Sequence, residues 1–143
     1  MMKYNDNVWT GWCLRTGGVE HIYGECQAPS LYGVELQSLT FNFGEDTNAQ
    51  LAFITKDVPR PMPEKWETAG VNAVRIVLDL IDIRVDNFNM HDACMMTGSI
   101  VIAGSGGDYI GVRVSDRQGR TVINLVARYI AVNSLSGTTV CGG

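Results

Sequence analysis

The sequence predicts a mainly β fold, a β-rich α+β chain whose hairpins form an antiparallel sheet or a sandwich. Sixteen glycines, many valines and isoleucines, and little long helical periodicity are typical of short strands joined by tight turns. Hydrophobic residues make up 45% of the chain and charged residues 18%, which excludes intrinsic disorder as the default. The length of 143 residues suits one domain, so we expect residues 1–143 to form a single one.

The first strand pair is predicted by two alternating segments. Apolar residues occupy even positions up to Leu36 and odd positions from Leu39 to Phe43, so a bulge or bend must lie between them. The polar turn 44–48 follows, and alternation resumes in residues 51–55. This order is typical of an antiparallel hairpin.

The clearest alternation lies in residues 71–90 and also changes phase. The segment has apolar residues at the even positions Val74, Ile76, Leu78 and Leu80 and then at the odd positions Ile81, Ile83 and Val85. Because side chains alternate with a period of two, an unbroken regular strand would turn half of them to the wrong face. The pattern therefore predicts a bulge or break near Leu80 and Ile81.

The second half of the chain predicts another hairpin and a long final strand. Residues 99–103 and 109–115 flank the glycine-rich turn 104–107, and residues 116–119 form a further turn. The β-branched content of residues 121–132 favours a strand, although their spacing also suits a helix.

One short helix is predicted at Lys65–Ala69. Pro63 is tolerated before a first helical turn, Glu64 suits the positive end of the helix dipole, and Gly70 can end the helix. Trp66 is expected to dock this helix onto the sheet. The proline-rich segment before it must be extended and outside the middle of a sheet.

The charge distribution restricts the partners. The formal net charge is −4, the wrong sign for holding nucleic-acid phosphates, and we expect no nucleic-acid partner. Residues 1–57 carry seven acidic and three basic residues, whereas the remainder carries eight of each. An acidic half could meet a basic partner or could simply solvate loops. With no apolar leader at the start and no apolar run of about 18 residues, we expect a cytoplasmic protein without a membrane partner.

No motif predicts a metal, a cofactor or a catalytic centre. The spacing of His91 and Cys94 gives only one close pair, whereas a zinc site needs four converging ligands. The loop 104–108 leads into a strand rather than a helix, so it is interpreted as a turn and not as a phosphate site. We expect no enzyme. The alternatives are a small β-rich enzyme or ligand-binding domain that uses Cys94 and His91, and a structural subunit of a larger assembly.

The candidate binding residues combine aromatic and acidic side chains in the first half. Trp9 and Trp12 lie three residues apart in a polar arm, and tryptophan is enriched among interface anchors. One or both could instead close the end of the β core. The residues predicted to bind a partner protein are Trp9, Trp12, Glu20, Glu25, Glu45 and Asp46.

The order of features also carries a resemblance. A tryptophan region, the hairpin beginning at residues 34–39, the crossover into Pro63-Glu64-Lys65-Trp66, and the strand 72–78 follow one another. In this order the chain resembles small immunity proteins of bacterial polymorphic toxin systems, closest to the family numbered immunity protein fifty. The resemblance spans residues 30–132.

This resemblance implies a single-domain cytoplasmic inhibitor without catalytic residues, which binds a toxin made by the same cell or by a neighbour. Together with the acidic half, it predicts a non-catalytic, antitoxin-like protein whose partner is a basic toxin domain.

Overall fold

Six antiparallel strands close into a barrel in the structure, a computed structural model that describes residues 9–24, 27–89 and 97–140. The order around the barrel is β1-β2-β3-β6-β5-β4. The mainly β prediction is confirmed, and the sheet is a single one that closes on itself. The strands are β1 (Val34–Phe43), β2 (Thr47–Thr55), β3 (Ala73–Phe88), β4 (Thr97–Gly104), β5 (Ile110–Asp116) and β6 (Thr121–Thr138).

The barrel has two different ends. Strands β1, β3 and β5 run in one direction and their neighbours run in the other, because every neighbouring pair is antiparallel. The hairpin end is the one at which β1 and β3 finish, and it carries the β1–β2 turn at residues 44–46. The helix end is opposite and is covered by a 3-10 helix (Trp9–Trp12), α1 (Gly17–Tyr23) and α2 (Glu64–Thr68).

The predicted bend in the first strand is confirmed as a β-bulge. The pairing of β1 with β2 shifts register between Leu36 and Ser38. Val34 and Leu36 are buried before the shift, and Leu39 and Phe41 pack against the core after it. The extra residue thus keeps apolar side chains on the inner face although their numbering changes from even to odd.

The bulge or break predicted near Leu80 and Ile81 is wrong: the pairing of β3 with β6 keeps one register from Leu78 to Val85, and its shifts lie between Val77 and Leu78 and between Val85 and Asn87. The apolar side chains nevertheless change phase close to the predicted position. Leu80 pairs with Ile130 and Ile83 pairs with Ala127, and all four side chains are buried. On each strand two residues lie between these inward-facing positions, whereas regular alternation has one. β3 and β6 therefore change phase at the same level of the barrel. Asp82 lies there with φ +56°, and its N–H donates to Asn48 Oδ1 at 2.9 Å.

The β5–β6 turn is held by a buried carboxylate. Oδ1 of Asp116 accepts hydrogen bonds from the N–H groups of Gln118 and Arg120, each at 2.9 Å. Its Oδ2 accepts from Arg120 Nε at 2.9 Å. Burial acts to raise the pKa of this carboxyl, but the hydrogen bonds and the charge of Arg120 outweigh burial and hold the pKa below its ordinary value.

The short helix predicted at Lys65–Ala69 is present one residue earlier, as α2. Trp66 is half-buried and packs against Gly137 of β6. A Cβ at position 137 would lie 2.9 Å from the Trp66 ring, so a glycine lets the helix approach the barrel closely. The prediction that Trp66 docks this helix onto the sheet is confirmed.

The helical structure before β1 was not predicted. Two glycines open α1, and glycine is a poor helix former, so local propensity gives no helical signal there. Val19 is fully buried in the core, which shows that tertiary packing stabilises this helix. Leu14 joins the barrel through its backbone: its N–H donates to Ile130 O at 2.7 Å, and Val132 N–H donates to Leu14 O at 3.0 Å.

Candidate protein-binding surface

Trp9 belongs to the core at the helix end. Its side chain is 3% exposed, and Nε1 donates a hydrogen bond to Pro29 O at 3.0 Å. The indole therefore packs among apolar side chains while its one polar atom is satisfied. In this structure Trp9 closes the end of the β core, which was the alternative to an exposed anchor.

Trp12 lies at the same end but remains 47% exposed. Its ring packs over Gly104, the last residue of β4, where a Cβ would lie 2.6 Å from the ring. Leu14, two residues on, is also exposed. Trp12 thus keeps one face on the barrel and offers the other to solvent.

The two acidic residues predicted near α1 have different outcomes. Glu20 is exposed, and its Oε2 accepts a hydrogen bond from Thr16 Oγ1 at 3.3 Å, which engages it in the first turn of α1. Glu25 lies outside the described residues.

Glu45 and Asp46 lie at the hairpin end, in the turn between β1 and β2. Both are exposed, and neither forms an ion pair within the described ranges. The structure therefore separates the predicted residues into two groups at opposite ends: Trp9, Trp12 and Glu20 at one, Glu45 and Asp46 at the other.

Three phenylalanines that the sequence analysis did not select stand beside this acidic turn. The Phe41 and Phe43 rings are stacked, with centroids 6.2 Å apart and planes at 14°, and Phe41 also lies 6.2 Å from Phe88. Phe43 is 77% exposed, Phe88 is 50% exposed and Phe41 is half-buried against the core. We call Phe41, Phe43 and Phe88 the aromatic rim.

The aromatic rim extends the inner, apolar face of the strands to the hairpin end of the barrel. Phe88 pairs directly with Ile123, which is buried, and directly opposed residues share one face of a sheet. Phe41 and Phe43 likewise follow Leu39 at alternate positions on the inner side of β1. The alternation of these residues could be read from the sequence. The point along each strand at which the barrel ends could not.

The basic side chains of Arg84 on β3 and Arg128 on β6 are engaged with partners of this chain. Arg84 and Arg128 lie over the Tyr109 ring at 5.4 and 5.5 Å, which are cation–π distances. Arg84 is also 3.8 Å from Asp86, and Arg128 is 3.4 Å from Asp82. The interaction with the Tyr109 side chain is the main cause that raises the pKa of Arg128, and Asp82 adds to it.

The described thiol is a poor nucleophile. Burial raises the pKa of Cys13 to about 12, and its Sγ donates to Trp9 O at 3.6 Å. Activated cysteines have the opposite shift. His91 and Cys94, the residues of the enzymatic alternative, lie outside the described residues. Within the described ranges, no three His, Cys, Asp or Glu side chains converge as a metal site.

No helix in the described part of the chain is long and apolar enough to cross a membrane.

A protein-family model described as Immunity protein 50 matches residues 17–137. The match begins with α1 and ends one residue before the end of β6, so it covers the barrel, whereas Trp9 and Trp12 precede it. No curated protein and no solved structure matches the chain. Because the matched residues make up most of the sequence, the resemblance seen in the order of its features is confirmed, and the chain belongs to the Immunity protein 50 family.

Proposed function

We propose that this protein is a non-catalytic immunity protein that binds a cognate toxin domain in the cytoplasm and inhibits it. The family match over residues 17–137 is the observation that carries the proposal. Inhibition by binding needs no reacting group on the inhibitor, because occupation of the toxin's functional surface suffices.

The partner is proposed to be basic. The chain has a formal net charge of −4, and its excess of acidic residues lies in residues 1–57. Glu45 and Asp46 present two of these charges to solvent. Complementary charge accelerates the encounter of two proteins and disfavours wrong partners, while buried aromatic anchors supply most of the affinity.

The contact residues first predicted remain proposals, with roles refined by their positions. Trp12, Glu20, Glu45 and Asp46 are exposed and available for contact. Trp9 acts indirectly, because it anchors the segment that carries Trp12 in the core.

The test takes the protein encoded directly upstream of this gene as the candidate effector domain, produced alone and together with the immunity protein. We expect the two to form a 1:1 complex on gel filtration and cells that express the effector domain to survive only when the immunity protein is present. An effector domain from an unrelated toxin is the control, and it should not be bound. Killing that continues in the presence of the folded immunity protein would overturn the proposal.

A salt titration of the same complex tests the charge argument. If the partner is basic, the association rate should fall as ionic strength rises, because exposed charges are screened beyond about 10 Å at 0.1 M salt. An association rate independent of salt would contradict electrostatic complementarity while leaving the inhibition itself in place.

A further inference from the structure

We infer that the toxin domain docks on the hairpin end of the barrel, with Phe43 and Phe88 as apolar anchors and Glu45 and Asp46 as the acidic edge that selects a basic partner. This inference rests on the proposed function and assigns it to one surface. Of the two groups of predicted contact residues, it selects the pair at the hairpin end and not the group at the helix end.

Exposure is the first step. Phe43 is 77% exposed and Phe88 is 50% exposed, and each ring centroid lies 6.2 Å from that of Phe41. Large aromatic side chains that remain together in solvent are unfavourable for the isolated protein and favourable when a partner covers them. By contrast, Tyr32 is 84% exposed, but it belongs to no aromatic pair within the described ranges.

Preorganisation is the second step. Phe41 packs against the core, and Phe43 stacks on it, so the rim is held before any partner arrives. The rings stand on paired strands rather than on a loop, since Phe43 pairs with Thr47 and Phe88 pairs with Ile123. An anchor that is already ordered loses less conformational entropy on binding.

Charge is the third step and identifies the occupant. Glu45 and Asp46 follow Phe43 by two and three residues and form no ion pair in the described part of the chain. Asp86, near Phe88, is already paired with Arg84. The side of the rim formed by the β1–β2 turn is therefore acidic, which fits a protein that surrounds an apolar contact with lysine or arginine.

The other described basic residues of the hairpin end lie on the β5–β6 turn, which β3 separates from the β1–β2 turn. Arg120 is paired with Asp116, and Arg117 stands beside it on the β5–β6 turn. The basic residues of the toxin are therefore expected to face the β1–β2 turn rather than the β5–β6 turn.

The helix end is less suited to the same role. Trp9 is buried, Trp12 uses one face of its ring on Gly104, and Glu20 accepts a hydrogen bond within α1. These side chains already satisfy contacts inside the chain. Tyr32 is also exposed at this end, but neither it nor Trp12 belongs to an aromatic pair in the described part of the chain, whereas the rings of the rim form one cluster.

The test measures the affinity of the upstream-encoded effector domain for variants of the full chain by calorimetry. Phe43→Ala and Phe88→Ala should each weaken binding by about 30-fold or more, the size typical of an interface anchor. Glu45→Lys combined with Asp46→Lys should lower the association rate at low salt. Tyr32→Ala and Glu67→Lys are the matched aromatic and charge controls at the helix end, and both should bind like the wild type.

The outcomes separate the surface from the function. If the wild type neither binds nor neutralises the effector domain, the proposed function fails. If the wild type binds and the Phe43 and Phe88 variants bind equally well, while Trp12→Ala loses affinity, the assignment to the hairpin end is overturned and inhibition stands. If the free wild type dimerises on gel filtration and Phe43→Ala is monomeric, the rim serves a second copy of this chain and the assignment is also overturned. Thermal unfolding of each variant shows whether a loss of binding reflects a loss of fold.

Discussion

The two ends of the barrel use aromatic side chains in opposite ways. At the helix end Trp9 is buried, its indole nitrogen is hydrogen-bonded to Pro29 O, and Trp66 fills the space above Gly137. At the hairpin end Phe43 and Phe88 extend the inner face of their strands beyond the mouth and remain exposed. The same class of residue thus stabilises one end and is available for contact at the other, and in the described part of the chain the helices lie at the first end.

The largest effect that distinguishes the ends is expected from Trp9→Ala. Loss of this buried ring should lower the free energy of unfolding by about 3–5 kcal/mol, because a cavity forms and the carbonyl of Pro29 loses its donor. Urea unfolding at pH 7 measures it. Trp12→Ala is the matched control, and it should cost clearly less because half of its ring is already in solvent. Equal losses for both variants would contradict the distinction between a core and a surface tryptophan.

Gly98→Ala should cost about 1–3 kcal/mol, because the new methyl group would meet the backbone carbonyl oxygen of Ser115 on β5. The backbones of β4 and β5 therefore approach each other closely at Gly98. Gly104→Ala, at the other end of β4, meets the ring of Trp12 instead. An exposed side chain can move aside, so this control should lose less stability in the same urea series.

The carboxylate of Asp116 should make stability depend on pH. Its pKa is lowered in the folded state, so its contribution is complete above the ordinary pKa of 3.8 and is lost as the pH falls through the lowered value. Asp116→Asn should therefore lower the urea midpoint at pH 7, by less than Gly98→Ala does, and the difference from the wild type should shrink at pH 2–3. Asp46→Asn, an exposed acid without an ion pair in the described ranges, is the control at pH 7. A midpoint difference that persists at low pH would contradict the ionic origin of the effect.

The smallest effect on stability is expected where the effect on binding is largest. Phe43→Ala should change the free energy of unfolding by about 0.5 kcal/mol or less, since most of the ring is exposed. Measured beside Trp9→Ala, this value sharpens the contrast between the two ends. A loss above about 2 kcal/mol would place Phe43 in the core and would weaken its assignment as an anchor.

Much of the barrel could be predicted because strand alternation is a local signal. The shift from even to odd apolar positions after Leu36 located the bulge in β1. The shift after Leu80 located the change of phase in β3, but not the two bulges of its pairing with β6. Closure into a barrel could not be predicted in the same way. It depends on the pairing of β1 with β4 through Val34 and Gly98, which are 64 positions apart, and no local pattern encodes that distance.

The candidate surface was predicted only in part for a related reason. Glu45 and Asp46 follow a strand and precede another, so their exposure could be expected from the turn. Phe43 and Phe88 have the pattern of inward-facing residues, and only the level at which the barrel ends leaves them in solvent. For Trp9 the sequence left two alternatives open, an exposed anchor and a residue that closes the core, and tertiary packing decides for the core.

The matching change of phase in β3 and β6 also protects the fold from misalignment. A long strand with unbroken alternation could slide by two residues against its neighbour and still direct every apolar side chain inward. Here the change lies between Leu80 and Ile83 on one strand and between Ala127 and Ile130 on the other. If one strand slid by two residues, the phase change in β3 would no longer lie opposite the phase change in β6. In the stretch between the two changes, inward-facing residues of one strand would then pair with outward-facing residues of the other. The 16-residue and 18-residue strands therefore have one alignment that buries both apolar sets, which guards the longest pair of the barrel against slippage and aggregation during folding.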